Sequence, residues 1–225
     1  MNWFTQLFSS TLGKKLLMAL TGLFLISFLL VHLLGNFQLL HHDEGRAFNL
    51  YARFMTSNPV IKTMSYLLYS AIILHVVWAV LLTRQNRKAR GSGVYAIKNK
   101  SADWSSRNMG FLGAIVFIFL VIHLKDFWYV MHNGPIETQM YDGSEVKDLY
   151  AVVVLAFSQA WYVILYVVSM AMLAFHLWHG FASAFQTLGL NHLKYNGLIQ
   201  VIGRTVAIVI PLLFALIPVL MFLNV

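Results

Sequence analysis

From residue 149 to residue 193 the chain runs for 45 residues without one Asp, Glu, Lys or Arg. Read as one helix at ~1.5 Å per residue, that stretch is about 67 Å long, more than twice the hydrocarbon thickness of a bilayer. Four further apolar stretches are bounded by charge, with cores at 16–34, 63–83, 108–124 and 205–223. In hydrocarbon every backbone N–H and C=O must be paired within its own segment, so each stretch of about 20 apolar residues reads as a membrane-crossing helix. The long stretch divides best into an interfacial piece ending near Ser158 and one span closed by Gly189 and Asn191. The expected fold is an all-α integral membrane protein, one domain over 1–225. Its five transmembrane helices fall near 16–38, 61–84, 108–131, 160–188 and 203–223.

Composition agrees with this reading: the chain is 59% hydrophobic and only 11% charged, against about 25% charged for soluble domains. With no cysteine, it cannot hold a thiolate-ligated iron–sulfur cluster, a disulfide framework or a covalently attached haem. Lys14 and Lys15 before the first apolar run resemble a signal peptide. The run is longer than the usual ~7–15 residues and no small-x-small cleavage site follows, so it reads as a retained span.

The net charge of +8 is concentrated in short loops, a pattern of topology rather than of nucleic-acid binding. Arg84, Arg87, Lys88, Arg90, Lys98, Lys100 and Arg107 share one side with Lys14, Lys15, Lys194 and Arg204. Asp43, Glu44, Asp126, Glu137, Asp142, Glu145 and Asp148 fall on the other. By the positive-inside rule the N-terminus is cytoplasmic and the C-terminus outside, as expected of a multi-pass protein of a bacterial inner membrane.

Four spans each carry a histidine: His32, His75, His123 and His176, spaced 43, 48 and 53 residues apart. An ionisable ring in hydrocarbon is costly and marks a functional site by default. Helix rise gives each ring a depth. His32 lies 17 residues beyond Lys15 and His123 lies 16 beyond Arg107, so both sit ~24–26 Å from the inner boundary. His75 precedes Arg84 by 9 residues, ~14 Å from that boundary, and His176 comes late in an inward-running span. The expected pairs are His75 with His176 towards the cytoplasm and His32 with His123 towards the outside. Two bis-histidine irons would use such a set, as two stacked haems.

The alternatives are interhelical hydrogen bonding, a zinc or copper site, whose ligands would converge at one height, and a proton relay. Relays usually recruit intramembrane acids, and none lies inside the apolar cores. Gly35, Ala71, Ala79 and Gly180 lie one turn from a histidine and would leave room for a flat macrocycle. His179, three residues after His176, competes with it for the fourth position.

With the histidines placed, the chain resembles the single-polypeptide di-haem cytochrome b anchor of succinate dehydrogenase and fumarate reductase. The resemblance covers nearly the whole chain. It is carried by Phe28-Leu29-Leu30-Val31-His32, Glu44-Gly45-Arg46-Ala47-Phe48-Asn49, His75, His123-Leu124-Lys125, and Phe175-His176-Leu177-Trp178-His179-Gly180 leading to Thr187-Leu188-Gly189. It implies two b haems, the outer iron on His32 and His123 and the inner on His75 and His176, in a bundle of the first four helices. It also implies an FAD-bearing flavoprotein and an iron–sulfur subunit docked on the cytoplasmic face, and a membrane quinone, menaquinone foremost, as substrate. The glutamate that some members carry two residues before the fourth ligand is Ala174 here. Where some carry an acid after the first span, this chain reads Arg53-Phe54-Met55.

A quinone needs an apolar slot with a few polar groups. Candidates are Asn36, Gln38, Asp126 and Tyr129 outside, with His41 and His42 as the weaker loop choices. Inside they are Ser10, Trp104, Arg107 and His179. The other function classes are a di-haem b subunit of a different membrane dehydrogenase and a haem-free proton-coupled transporter or anchor.

Overall fold

The computed structural model describes residues 8–90 and 104–224; Lys98 and Lys100 of the basic loop lie outside them. Among the described residues, five helices are long and apolar enough to cross a membrane: Thr11–Leu40, Pro59–Ala89, Met109–Asn133, Ala160–Thr187 and Leu193–Leu223. The protein is an all-α, multi-pass membrane protein.

Helix α1 (Thr11–Asn36) starts on Ser10, whose hydroxyl accepts from the Gly13 N–H at 3.0 Å, a standard N-cap. A 3-10 turn, Phe37–Leu40, ends it. The short amphipathic α2 (Arg46–Ser57) follows, and α3 (Pro59–Arg90) opens with proline at its first position, where the missing N–H costs nothing. Asn58 closes α2 and caps α3, its Oδ1 accepting from Val60 N at 2.9 Å and Ile61 N at 3.3 Å.

After the short α4 (Trp104–Arg107), α5 (Met109–His123) runs into a π-helical stretch, Leu124–Tyr129, and a last turn, α6 (Val130–Asn133). Then come a hairpin of β1 (Thr138–Tyr141) and β2 (Ser144–Lys147), helix α7 (Leu149–Phe157), α8 (Ala160–Thr187) and α9 (Leu193–Asn224).

The long apolar stretch divides as its composition suggests: α7 ends at Phe157, Gln159 is extended, and α8 begins at Ala160. Gly189, at φ 75°, stops α8 in the left-handed conformation that glycine adopts without strain. Three boundaries differ from the sequence reading by five residues or more, the first being the start of the first helix at Thr11 rather than 16. The fifth helix starts at Leu193 rather than 203, and the second continues to Arg90 rather than 84. Charge marks where the bilayer ends, not where helical hydrogen bonding ends, so these helices continue through polar residues. The fifth also contains Pro211 and Pro218, which membrane helices tolerate where neighbouring helices support the freed carbonyls.

The four histidine-bearing helices close a ring in the order α1, α3, α5, α8, and α9 packs along α8 and against α1. Gly203 lets α9 approach closely, since a Cβ there would lie 2.6 Å from Phe181 Cδ1. The connections 37–58 and 134–159 lie at the same end of the bundle, where α2 packs against α7, β2 and the 3-10 turn. Asn49, wholly buried, ties that end together. Its Nδ2 donates to Asp148 Oδ1 at 2.9 Å and Tyr141 OH at 3.2 Å, and its Oδ1 accepts from Tyr150 N at 2.9 Å. The hairpin itself turns on Asp142-Gly143, with φ of 50° and 75°, a two-residue type I′ pattern.

Candidate functional site

The ring of helices points four imidazoles inward in two pairs. His75 faces His176 with ring centres 6.4 Å apart and planes at 66°. His32 faces His123 at 5.7 Å and 80°. Edge-to-face ring packing alone covers ~4.5–7 Å, so distance does not decide what these pairs do. A metal ion bonded to one nitrogen of each ring at ~2.0 Å would set the ring centres roughly 6 Å apart, and both pairs fall near that value.

The tautomers decide more. His75 Nδ1 lies 3.1 Å from Thr21 Oγ1 on α1. The single Thr21 proton is directed at the carbonyls of Leu17, 2.8 Å, and Met18, 3.1 Å. Thr21 oxygen therefore accepts, His75 carries its proton on Nδ1, and Nε2 presents a bare lone pair.

A longer line fixes His123. Its Nδ1 is 3.1 Å from Tyr166 OH, Tyr166 OH is 3.4 Å from Tyr162 OH, and Tyr162 OH donates to Asp126 Oδ2 at 2.8 Å. A carboxylate only accepts. The Tyr162 proton is therefore committed to Asp126, the Tyr166 proton to Tyr162, and the His123 Nδ1 proton to Tyr166. His123 too has its Nε2 free. Asp126 also takes an ion pair from Lys125 at 3.0 Å.

Near the His75–His176 pair, two buried polar atoms have no partner among the described residues, His176 Nδ1 and Trp78 Nε1, which is costly unless something supplies one. Gly22 leaves the His75 ring its space, since a Cβ there would stand 3.3 Å from His75 Cε1, while one on Gly113 would make ordinary contact with His176 Cε1 at 3.6 Å. Orphaned donors, glycine-backed rings and free Nε2 lone pairs all fit a planar, axially ligated group held between the helices. Gly35 does not serve that purpose. A Cβ there would meet Tyr51 Cε1 at 2.5 Å, so its small size admits the Tyr51 ring instead. Gly180 has open space beside it.

Aromatic rings pack around the outer pair. Phe28 stacks on His32 at 5.3 Å, Phe214 lies 5.6 Å from it, and Phe119 and Phe127 flank His123 at 5.8 Å and 5.4 Å.

The remaining candidates separate. Asp126 joins the outer histidine through the tyrosines. It lies within the third apolar helix, contrary to the expectation that no acid enters a span, because the π-helical stretch carries the helix past Lys125 to Asn133. Asn36 and Gln38 lie at the end of α1, half-buried, and Tyr129 is exposed. None of these three lines the outer cavity of about 270 Å3 formed by Lys125, Asp126, Ala156, Gln159, Trp161 and Tyr162. His41 and His42 are exposed.

Inside, Ser10 is spent as the α1 cap and Arg107 is exposed. Trp104 lines a cavity of about 410 Å3 with Ser105, Ala174, Phe175, Trp178, Ala207 and Ile208. His179 is half-buried one turn beyond His176, and it is His176 whose ring faces His75.

Tyr162, Tyr166 and Thr21 escaped the sequence reading. Tyrosines in an apolar span read as packing. The available signal was their i, i+4 spacing, which puts both hydroxyls on one face. Comparison with protein family models, with curated proteins and with solved structures finds no match for this chain.

Proposed function

We propose that this protein is the membrane-anchor subunit of a succinate:quinone oxidoreductase, holding two b haems. His75 and His176 would hold the inner haem, and His32 and His123 the outer. The observation that carries the reading is the two opposed imidazole pairs on four helices, with His75 and His123 held in the tautomer that leaves Nε2 free for a metal. When bound, haem supplies reversible one-electron chemistry.

The chain's own residues hold and tune it. Thr21 and Tyr166 orient His75 and His123, Gly22 gives the His75 ring room, and the buried Trp78 N–H offers a donor to a carboxylate of the inner group. Volume supports the inner cavity as the place for a quinone ring. The inner cavity lies within the ~300–1,000 Å3 of small-molecule sites and the outer falls short. Its flat walls, Trp104, Phe175 and Trp178, suit a ring such as menaquinone, and Phe175 adjoins His176. A flavoprotein and an iron–sulfur subunit on the basic, cytoplasmic face would deliver electrons to the inner pair.

The test is reduction of the haems by succinate in membranes containing the assembled complex, followed by reoxidation on adding a water-soluble menaquinone analogue. Trp104→Ala should leave the first step intact and slow the second. If succinate fails to reduce haems that dithionite does reduce, the chain serves another membrane dehydrogenase. One observation favours a second reading: the line from Asp126 to His123 has the form of a proton relay, as a haem-free transporter would use. A chain without haem would select it.

A further inference from the structure

The two histidines whose tautomers are fixed end on different acceptors. His75 donates to a neutral hydroxyl, Thr21. His123 donates into a line whose far end is a carboxylate, Asp126, through Tyr166 and Tyr162. Hydrogen bonds in a chain polarise one another, and more so where the dielectric is low. Tyr166 and Tyr162 are each 6% exposed, so the part of the line next to the ring is shielded, while its Asp126 end borders the outer cavity.

An imidazole whose N–H points at an anion is drawn towards imidazolate and donates more electron density to a bound metal. We propose that Tyr166, Tyr162 and Asp126 are positioning residues that set the electron-donor strength of His123, so that a carboxylate at the outer cavity tunes the potential of the outer haem and leaves the inner haem alone. The inference rests on the di-haem reading. More donation favours the ferric state, so cutting the line should raise the potential of one haem.

The cuts are graded. Tyr166→Phe removes the acceptor from His123. Tyr162→Phe keeps that acceptor and disconnects it from the carboxylate. Asp126→Asn keeps every hydroxyl and removes only the charge. Haem per chain is first counted in the purified complex by pyridine haemochrome. The two midpoint potentials are then measured by spectroelectrochemical titration, with low-temperature electron paramagnetic resonance separating the centres.

The expected result is two haems in each variant and an upward shift of one potential, largest for Tyr166→Phe. Thr21→Val should move only the other centre. Should Tyr166→Phe fail to assemble, Tyr162→Phe and Asp126→Asn carry the test. Unshifted potentials in variants that retain both haems, or equal shifts of both centres, would overturn the proposal. A wild-type chain that binds no haem would instead overturn the di-haem reading, and the haem count distinguishes the two failures.

Discussion

At the scale of single residues, the four histidines and the groups that orient them differ in how far they can be read. Four histidines in four apolar runs carry their own signal, because a polar ring in hydrocarbon has few bland explanations, and charge plus helix rise sorts them by depth. The groups that orient them carry none. Thr21 in an apolar helix reads as a residue bonding back to its own carbonyls, and it does that too. Its second task is legible only once α3 has been packed against α1. The consequence is testable. Thr21→Val removes the hydroxyl acceptor from His75 Nδ1 and leaves it only the Met18 carbonyl, at a cost of about 0.5–1.5 kcal/mol. Loss of such an orienting partner typically weakens metal binding ~10–100-fold. Thr21→Ser should restore both. Haem retention by the purified protein during dilution, compared across the three, checks it.

Among the elements, membrane-crossing helices declare themselves by length and charge, and the break at Ser158–Gln159 is visible as the polar pair that lies away from the far end of the long run, where Gln186-Thr187 and Asn191-His192 sit. The outer cap was not read in the same way. The hairpin carried the strongest short-range sign available, Asp142-Gly143, yet its strands are only four residues each and sit in polar sequence without a hydrophobic alternation. What holds it is tertiary: Asn49 on α2 reaches Tyr141 and Asp148 across the chain. Asn49→Ala should lower the thermal transition in detergent by an amount equivalent to about 1–3 kcal/mol, since Tyr150 N–H and Asp148 lose a buried partner. It should also speed proteolysis within residues 138–147. Gly35→Ala probes the neighbouring contact. The added methyl collides with the Tyr51 ring, a clash that small-to-large changes in packed sites pay for with ~1–3 kcal/mol. Tyr51→Leu in the same background should recover most of that loss.

For the whole molecule, topology, helix ring and histidine pairs form one argument. An up-and-down path places the first four long helices around a common axis, so residues at matching heights meet whether or not they are near in sequence. The fifth helix then packs on the outside against α8 and α1, where small residues bring the backbones close. The proposed orientation rests on the distribution of charge, and reporter fusions check it. A fusion at residue 225 should report an outer location, and one in the loop near residue 95 a cytoplasmic one. The central claim is that each pair of histidines holds one haem. Pyridine haemochrome quantitation of the purified, haem-supplied chain or complex measures it directly. The account predicts about two b-type haems per chain with a low-spin α band, falling to one when His75 or His123 is replaced by alanine; a chain that takes up no haem would contradict it.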